Sequence, residues 1–414
     1  MGSLRRIAAG LLCLLAGASV AAAETPYRER VGGAFRQWLE TDAWPQAAEA
    51  GVRRATFDRA LAGVTLDWDL PELQPPGLAA RPPAVEWQAE FSKPAAYFNQ
   101  RGLDSNVANG RRRLATWKQT LDAIAGRYGV PASILVAVWA KESSFGEARL
   151  PEPAIRALAT GAFMGRRAAF FLDELIAALL ILENGDIAPE RMRSSWAGAL
   201  GQPQFLPSQF HRYAVDFDGD GHRDIWDSAP DSLASMANYL RQEGWKPERG
   251  WGVEAHVPAE VPCTLEGPEQ RIAMAEWARR GVTRADGRPL PVTGDRLGYL
   301  LMPAGRFGPA FIVTENFYAL KQYNYSDLYA LYIGHLADRF SDNRPFAARW
   351  GDVGGFSRGD VRSMQEALIA EGYDVGGADG LVGFKTRIAV GLWQARKGQP
   401  PTCFPDAKLV RSIH

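Results

Sequence analysis

The run Phe170, Phe171, Leu172, Leu175, Ile176, Leu179, Leu180 and Leu182 constrains this chain more than any other stretch. Its apolar positions fall almost all round a helix, and such a helix is stable only when other elements cover it. It is too short, and flanked by too many charges, to cross a bilayer. It therefore predicts the buried core helix of a helical domain, against which amphipathic neighbours must pack. Those neighbours are present: Phe35, Trp38 and Leu39, then Phe57, Ala60 and Leu61, then Leu114, Trp117, Leu121 and Ile124 recur at helical spacing through residues 27–127. A proline-rich crossing at 71–83 divides them. Aromatics are frequent here (Trp68, Trp87, Phe91, Tyr97, Phe98). They read first as core and interface packing, although aromatic faces also suit sugar rings.

Ahead of the core helix, a second apolar helix is predicted from Pro131, where a missing N–H costs nothing, to Gly146, which tolerates a left-handed cap. Leu135, Val138 and Glu142 lie three and four residues apart, so they share one face and the carboxylate stands on an apolar wall. Desolvation and the negative end of the helix dipole both raise the pKa of such a group. A protonated carboxyl is what cleavage of a glycosidic bond needs, because the leaving oxygen departs poorly without a proton. Locally, a structural glutamate paired with an arginine would look the same.

Two further patterns follow. In residues 195–208 glycines and Pro203 break regular structure and let backbone approach a ligand, while Gln204 offers a donor and an acceptor suited to an N-acetyl group or hydroxyls. In residues 216–227 oxygen ligands recur at Asp216, Asp218 and Asp220, the turn glycine is Gly221, the His222 carbonyl follows, and Asp224 stands at the ninth position. This is the pattern of a calcium loop. At the twelfth position Asp227 replaces the usual long glutamate, and Asp231 is the alternative closing ligand. Asp231 or Ser232 is then expected to cap a helix running to Trp245 and carrying Tyr239.

Residues 246–313 change to short apolar runs divided by proline and glycine, which predicts a small strand-rich insertion. Helical pattern returns from Phe317 to about Phe340. Residues 346–358 lie in a glycine-containing stretch of low periodicity and read as a linker. From 359 to 414 two similar segments, 361–368 and 388–394, flank the glycine-rich turn at 376–380, which predicts a small helical binding domain.

Arg5 and Arg6, an apolar run from Ile7 to Val20 and three alanines before Glu24 read as a secretory leader, residues 1–23. Cys13 has no small residues directly ahead of it, so a lipoprotein is not expected; the chain is read as soluble and exported. Removing the leader takes two arginines from the 47 basic residues and leaves the 47 acidic ones, a net charge of −2. That balance excludes the basic surface nucleic acid requires. The mature chain keeps Cys263 and Cys403, no disulfide framework, and whether they are bridged stays open.

Residues 139–146, 195–208, the acidic loop, 237–240 and 323–326 together resemble the lytic murein transglycosylase B family, in that family's order across most of residues 30–340. The tail, with Gly372, Tyr373, Asp379, Gly380, Gly383 and Thr386, is similar to the common peptidoglycan-binding domain. The resemblance implies a mainly α (α+β) fold. Its parts would be a lysozyme-like catalytic region at 24–345 with a helical N-terminal part at 24–127, the strand-rich insertion, and a three-helix peptidoglycan-binding domain. It implies Glu142 as the one catalytic carboxylate, with Ser195, Gln204, Phe205, Tyr239, Tyr323 and Asn324 lining the saccharide site. It further implies cleavage of the β-1,4 bond between N-acetylmuramic acid and N-acetylglucosamine to a 1,6-anhydro end. Structural calcium is expected and an organic cofactor is not. Glycan strands in the periplasm are the partner, with other cell-wall enzymes as further candidates. Gln202-Pro203 departs from the family's usual pair, as does Lys141 ahead of the glutamate. The alternatives are a hydrolytic muramidase, which needs a second carboxylate, for which Glu147 and Glu152 are nearest, and a non-catalytic wall-binding scaffold. A metalloprotease is disfavoured, since the five histidines form no HExxH pair.

Overall fold

The computed structural model describes residues 26–79, 93–292 and 296–413. The leader, Cys13, Trp87 and Phe91 lie outside the described residues. Within them the chain divides into one unit of residues 26–79 and 142–235 and another of 93–141 and 236–413. The division falls inside two helices, Ala132–Ser143 and Ala229–Gln242.

The first unit is built on the predicted core helix, Ala168–Asn184, in which Phe171, Leu175, Ala178, Leu179, Ile181 and Leu182 are buried. Leu172, Ile176 and Leu180 are only half-buried, so the cover is less complete than the sequence implies. Helix Ala154–Met164 packs along it at close range, because a Cβ at Gly161 would lie 2.6 Å from the Phe171 ring. Helices Arg54–Leu61, Trp44–Glu49 and Pro207–Tyr213 complete the contact. A short antiparallel pair, β1 (Glu152–Pro153) and β2 (Arg193–Ser194), holds the start of the loop that follows.

The second unit centres on helix Asp327–Asp342, buried along nearly its whole length. Gly110 of helix Gln100–Thr116 lets it approach, since a Cβ there would sit 2.2 Å from Phe340. The single helical stretch expected from Phe317 to Phe340 is two helices. Glu315–Lys321 ends before a turn in which Tyr325 takes φ 53°, and Ser326 then caps Asp327–Asp342 by accepting from the Tyr329 N–H at 3.2 Å. The strand-rich stretch forms an antiparallel sheet of β3 (Gly252–His256), β4 (Ile272–Ala273), β5 (Thr283–Arg284), β6 (Leu297–Leu301) and β7 (Ala310–Val313), in the order β4-β6-β7-β3-β5. Gly252 faces Val313 and Tyr299 faces Val313 across its central pairs, and Leu300, Phe311 and Ile312 are buried.

The tail holds helices Arg358–Ala370, Phe384–Arg396 and the one-turn Ala407–Val410 around Val361, Met364, Leu368, Val390, Trp393 and Phe404. It is bonded to the sheet region. Cys263 and Cys403 form a disulfide, which answers the question the sequence left open. Arg387 is buried against Glu266 at 2.7 Å and Asp327 at 3.0 Å. Residues 346–358 have no regular structure before the last helix cap, yet Phe346 stacks on His335 at 3.8 Å between centroids and Trp350 stacks on Phe98 at 5.3 Å. Its aromatic residues are thus packed, although most of the stretch is half-buried or exposed. Among the described residues no single helix is long and apolar enough to cross a membrane.

Candidate active site and acidic loop

Glu142 occupies the last turn of helix Ala132–Ser143, half-buried, after seven consecutive buried residues from Ile134 to Ala140. The helix ends three residues earlier than expected. Ser144, Phe145 and Gly146 all take left-handed backbone, at φ 51°, 64° and 82°. Two non-glycine residues in that conformation cost about 1–2 kcal/mol each, and such strain persists only where the surroundings fix it. Here they do: Phe145 is buried, and the Gly146 N–H donates to Ser143 Oγ at 3.0 Å. Gly146 itself cannot carry a side chain, since a Cβ would lie 2.6 Å from Gln202 Oε1.

Gln202, a departure from the family's usual residue, thus packs beneath the turn that follows Glu142. Its N–H donates to Ile225 O at 2.8 Å and its Nε2 to Trp226 O at 2.9 Å, tying residues 195–208 to the acidic loop. Ser195 Oγ accepts from the Ala199 N–H at 3.1 Å, and Leu200 and Phe205 exchange backbone bonds. Gln204 is strained at φ 57° and half-exposed, with Nε2 donating to Gly201 O at 2.8 Å. Phe205, expected at the saccharide site, is only 1% exposed and its ring lies 6.0 Å from that of Tyr213. Sequence reasoning missed Glu174, whose carboxylate accepts from both Ser208 N and Ser208 Oγ and seats helix Pro207–Tyr213. Its signal was an acid in the middle of the most apolar helix.

In the acidic loop the carboxylates of Asp216, Asp218 and Asp231 converge, with ligand oxygens within 4.8 Å of one another. Asp231 is fully buried, accepting from the Phe217 N–H at 2.8 Å and the Asp224 N–H at 2.9 Å. Burial pushes its carboxyl above the ordinary range against those bonds, and the Asp218 charge adds to the push. Asp231 does not cap the following helix, nor does Ser232. Ser228 does, accepting from the Asp231 N–H at 3.2 Å, which leaves Asp231 in the first turn and free to reach back. Asp227 is turned away to Arg191, and Asp224 Oδ1 accepts from the Trp226 and Asp227 N–H groups at 2.9 Å. Asp220 and His222 are exposed, with the His222 N–H donating to Asp220 Oδ1 at 2.8 Å. Three hard oxygens, one desolvated and all anionic, fit a divalent cation such as calcium.

In the second unit Tyr239 is buried and donates from its hydroxyl to Gln322 O at 2.8 Å. Its ring lies 4.7 Å from Tyr323, which stacks at 6.2 Å on Tyr329, a buried support that the sequence reading did not single out. Asn324 is exposed in the turn between the two helices. Lys141 is exposed, and its ammonium lies over the rings of Tyr97 at 4.4 Å and Tyr332 at 5.0 Å.

Known proteins resemble this chain in sequence and fold. Residues 34–338 match the Transglycosylase SLT domain family, and residues 357–413 match the peptidoglycan binding domain family. The membrane-bound lytic murein transglycosylase B of Escherichia coli (strain K12) is 33% identical over 235 residues, 56% of this chain and 63% of its own length. The crystal structure of SltB3 from Pseudomonas aeruginosa in complex with NAG-anhNAM-pentapeptide is similar over 92% of this chain and 99% of that one, with a TM-score of 0.79 and 38% identity. The Escherichia coli lytic transglycosylase SLT35 in complex with calcium is similar over 60% of this chain and 79% of that one, with a TM-score of 0.52 and 30% identity. With its first family match spanning far more than half of the sequence, the chain belongs to the SLT transglycosylase family.

Proposed function

We propose that this protein is a lytic transglycosylase of peptidoglycan, with Glu142 as its acid and then its base. The observation that carries this is Glu142 itself: a half-buried carboxyl at the end of a buried helix, followed by a strained turn that Gln202 and Phe145 hold in place. A partly desolvated carboxyl at a helix C-terminus is suited to hold a proton. It gives that proton to the glycosidic oxygen as the C1–O bond breaks, and the substrate's N-acetyl carbonyl stabilises the positive centre. The carboxylate then takes the proton of the C6 hydroxyl while O6 bonds to C1, closing the 1,6-anhydro ring without water. One group serves both steps. A hydrolase would need a second carboxylate, and of the two nearest in sequence Glu147 is exposed and Glu152 lies half-buried in β1.

Ser195, Gln204, Tyr239, Tyr323 and Asn324 are assigned to sugar contacts, and Gln202 to holding the catalytic turn. The acidic loop binds calcium for structure, through Asp216, Asp218 and Asp231. SLT35 with bound calcium supports this assignment. The module at 357–413 binds the wall, and residues 1–23 direct export to the periplasm. Incubating purified peptidoglycan with the protein and identifying muropeptides by mass is the test: anhydro ends are expected, and reducing ends alone would assign a hydrolase. Glu142→Gln, which keeps shape but donates no acidic proton, should lower the rate by about 10²–10⁴ with the fold retained. Near-normal turnover by the folded variant would remove Glu142 from the reaction.

A further inference from the structure

The five-stranded sheet carries a cavity that the reaction above leaves unused. It offers about 70 Å3 of space, room for the end group of a chain rather than for a whole small molecule. Val253, Met274 and Leu297 give it an apolar wall, and Arg249, Arg296 and Glu315 give it charge. Arg249 Nη1 pairs with Glu315 Oε2 at 3.0 Å, whereas Arg296 has no carboxylate partner among the described residues. Among the described lining residues, two guanidiniums against one carboxylate leave one positive charge in excess. The occupant is therefore an anion. Among the described residues no aromatic ring lines the space, so a sugar ring would find no stacking face there, and a bare inorganic anion would leave the apolar wall unused.

We propose that this cavity binds the C-terminal end of a short aliphatic peptide. The terminal carboxylate sits on Arg296 and on the N–H groups of Arg249 that Glu315 does not use, since a planar guanidinium fork matches a carboxylate. The last side chain lies against Met274, Leu297 and Val253. The proposal rests on the peptidoglycan reading for the identity of the peptide, which is then the end of a stem peptide.

The probe is N-acetyl-Lys-D-Ala-D-Ala, titrated by calorimetry into the full chain, with its C-terminal amide alongside. The acid is expected to bind and the amide to bind about tenfold more weakly or worse, the loss of a charged bidentate contact. Arg296→Met should weaken the acid by a similar factor. Gly250→Phe is a second, independent variant: a Cβ there meets nothing within 4 Å and the backbone is not left-handed, so it should fold and block the cavity mouth. Glu142→Gln should bind the peptide as the wild type does, so failure of lysis and failure of this site are read separately. No binding of the acid, equal binding of acid and amide, or unchanged binding in both cavity variants would overturn the proposal. Displacement of the peptide by inorganic phosphate at equal concentration would do so too.

Discussion

Glu266, Asp327, Arg387 and Lys321 form one cluster of buried or half-buried charge, and Asp216, Asp218 and Asp231 form another. The first is closed by the chain itself. Arg387 reaches Glu266 and Asp327, Lys321 reaches Asp327 at 2.7 Å, and the Met302 N–H donates to Glu266 at 2.8 Å, so two cations meet two anions. Although burial opposes it, the attraction of Lys321 and Arg387 holds the Asp327 carboxyl below the ordinary range. The second has only anions at its centre, and Arg191 is spent on Asp227 and Asp224 at its edge. The difference teaches where charge is balanced: the tail joint pairs its own ions, and the acidic loop is left with negative charge, which the proposed calcium would offset.

Removing the cation from the complete cluster should have the larger effect. Arg387→Met leaves Asp327 to Lys321 and buries Glu266 with no cation, only the Met302 N–H, and breaking a buried pair from one side costs about 3–5 kcal/mol. Urea unfolding of the variant should show this, and adding Glu266→Leu should recover much of it. An Arg387→Met protein as stable as the wild type would mean that water reaches the joint. Opening the disulfide, by Cys263→Ala with Cys403→Ala, should cost about 2–5 kcal/mol through the long loop it closes. Because the tail supplies both Arg387 and Cys403, deleting it would also unmake this joint. Its affinity for the wall is better tested by substitutions on its own exposed face.

The acidic loop should respond in the opposite sense, by gaining stability when a cation is added. Calcium at about 100 times its dissociation constant should stabilise chelated protein by about 2.7 kcal/mol, read as a rise in melting temperature. Asp231→Asn should abolish that rise, and Asp227→Asn, which only frees Arg191, should leave most of it. If Asp227→Asn abolished the response instead, the loop would close as the twelve-residue spacing predicts.

What could be read from sequence follows from the range of the interactions. The helix before Glu142 and the alternating aspartates of the loop were legible because periodicity and spacing act over a dozen residues. The choice between Asp227 and Asp231 was not, since it depends on Ser228 capping the helix and leaving Asp231 to turn back. Arg387 lies 121 residues from Glu266, and Cys263 lies 140 from Cys403, distances at which no local pattern reports contact. In residues 346–358 the glycines and the low periodicity set the reading, which said nothing of Phe346 and Trp350, whose ring partners His335 and Phe98 lie far off in sequence.

A third buried group shows another way to manage charge, which is to lose it. His335 lies within helix Asp327–Asp342, is 6% exposed, and stacks on Phe346 at 3.8 Å. Burial, helped by the Arg339 charge and opposed by Asp342, pushes its imidazole down to about 3 from an ordinary 6.5. The sign follows directly. The unfolded chain takes a proton near 6.5 and the folded chain only near 3, so the stability of the neutral form is complete above 6.5 and is lost as pH falls between those values. Between pH 6.5 and 5.5 the loss should be about 1 kcal/mol, steepening towards about 1.4 kcal/mol per pH unit below that. Calcium should not change this slope, because it belongs to a different region. His335→Gln removes the titrating group at similar size, so its urea midpoints, taken in half-unit steps from pH 7 to 5, should fall less steeply than those of the wild type. Parallel curves would mean that the imidazole is protonated in the folded chain and that this region, like the tail joint, holds its charge with a partner.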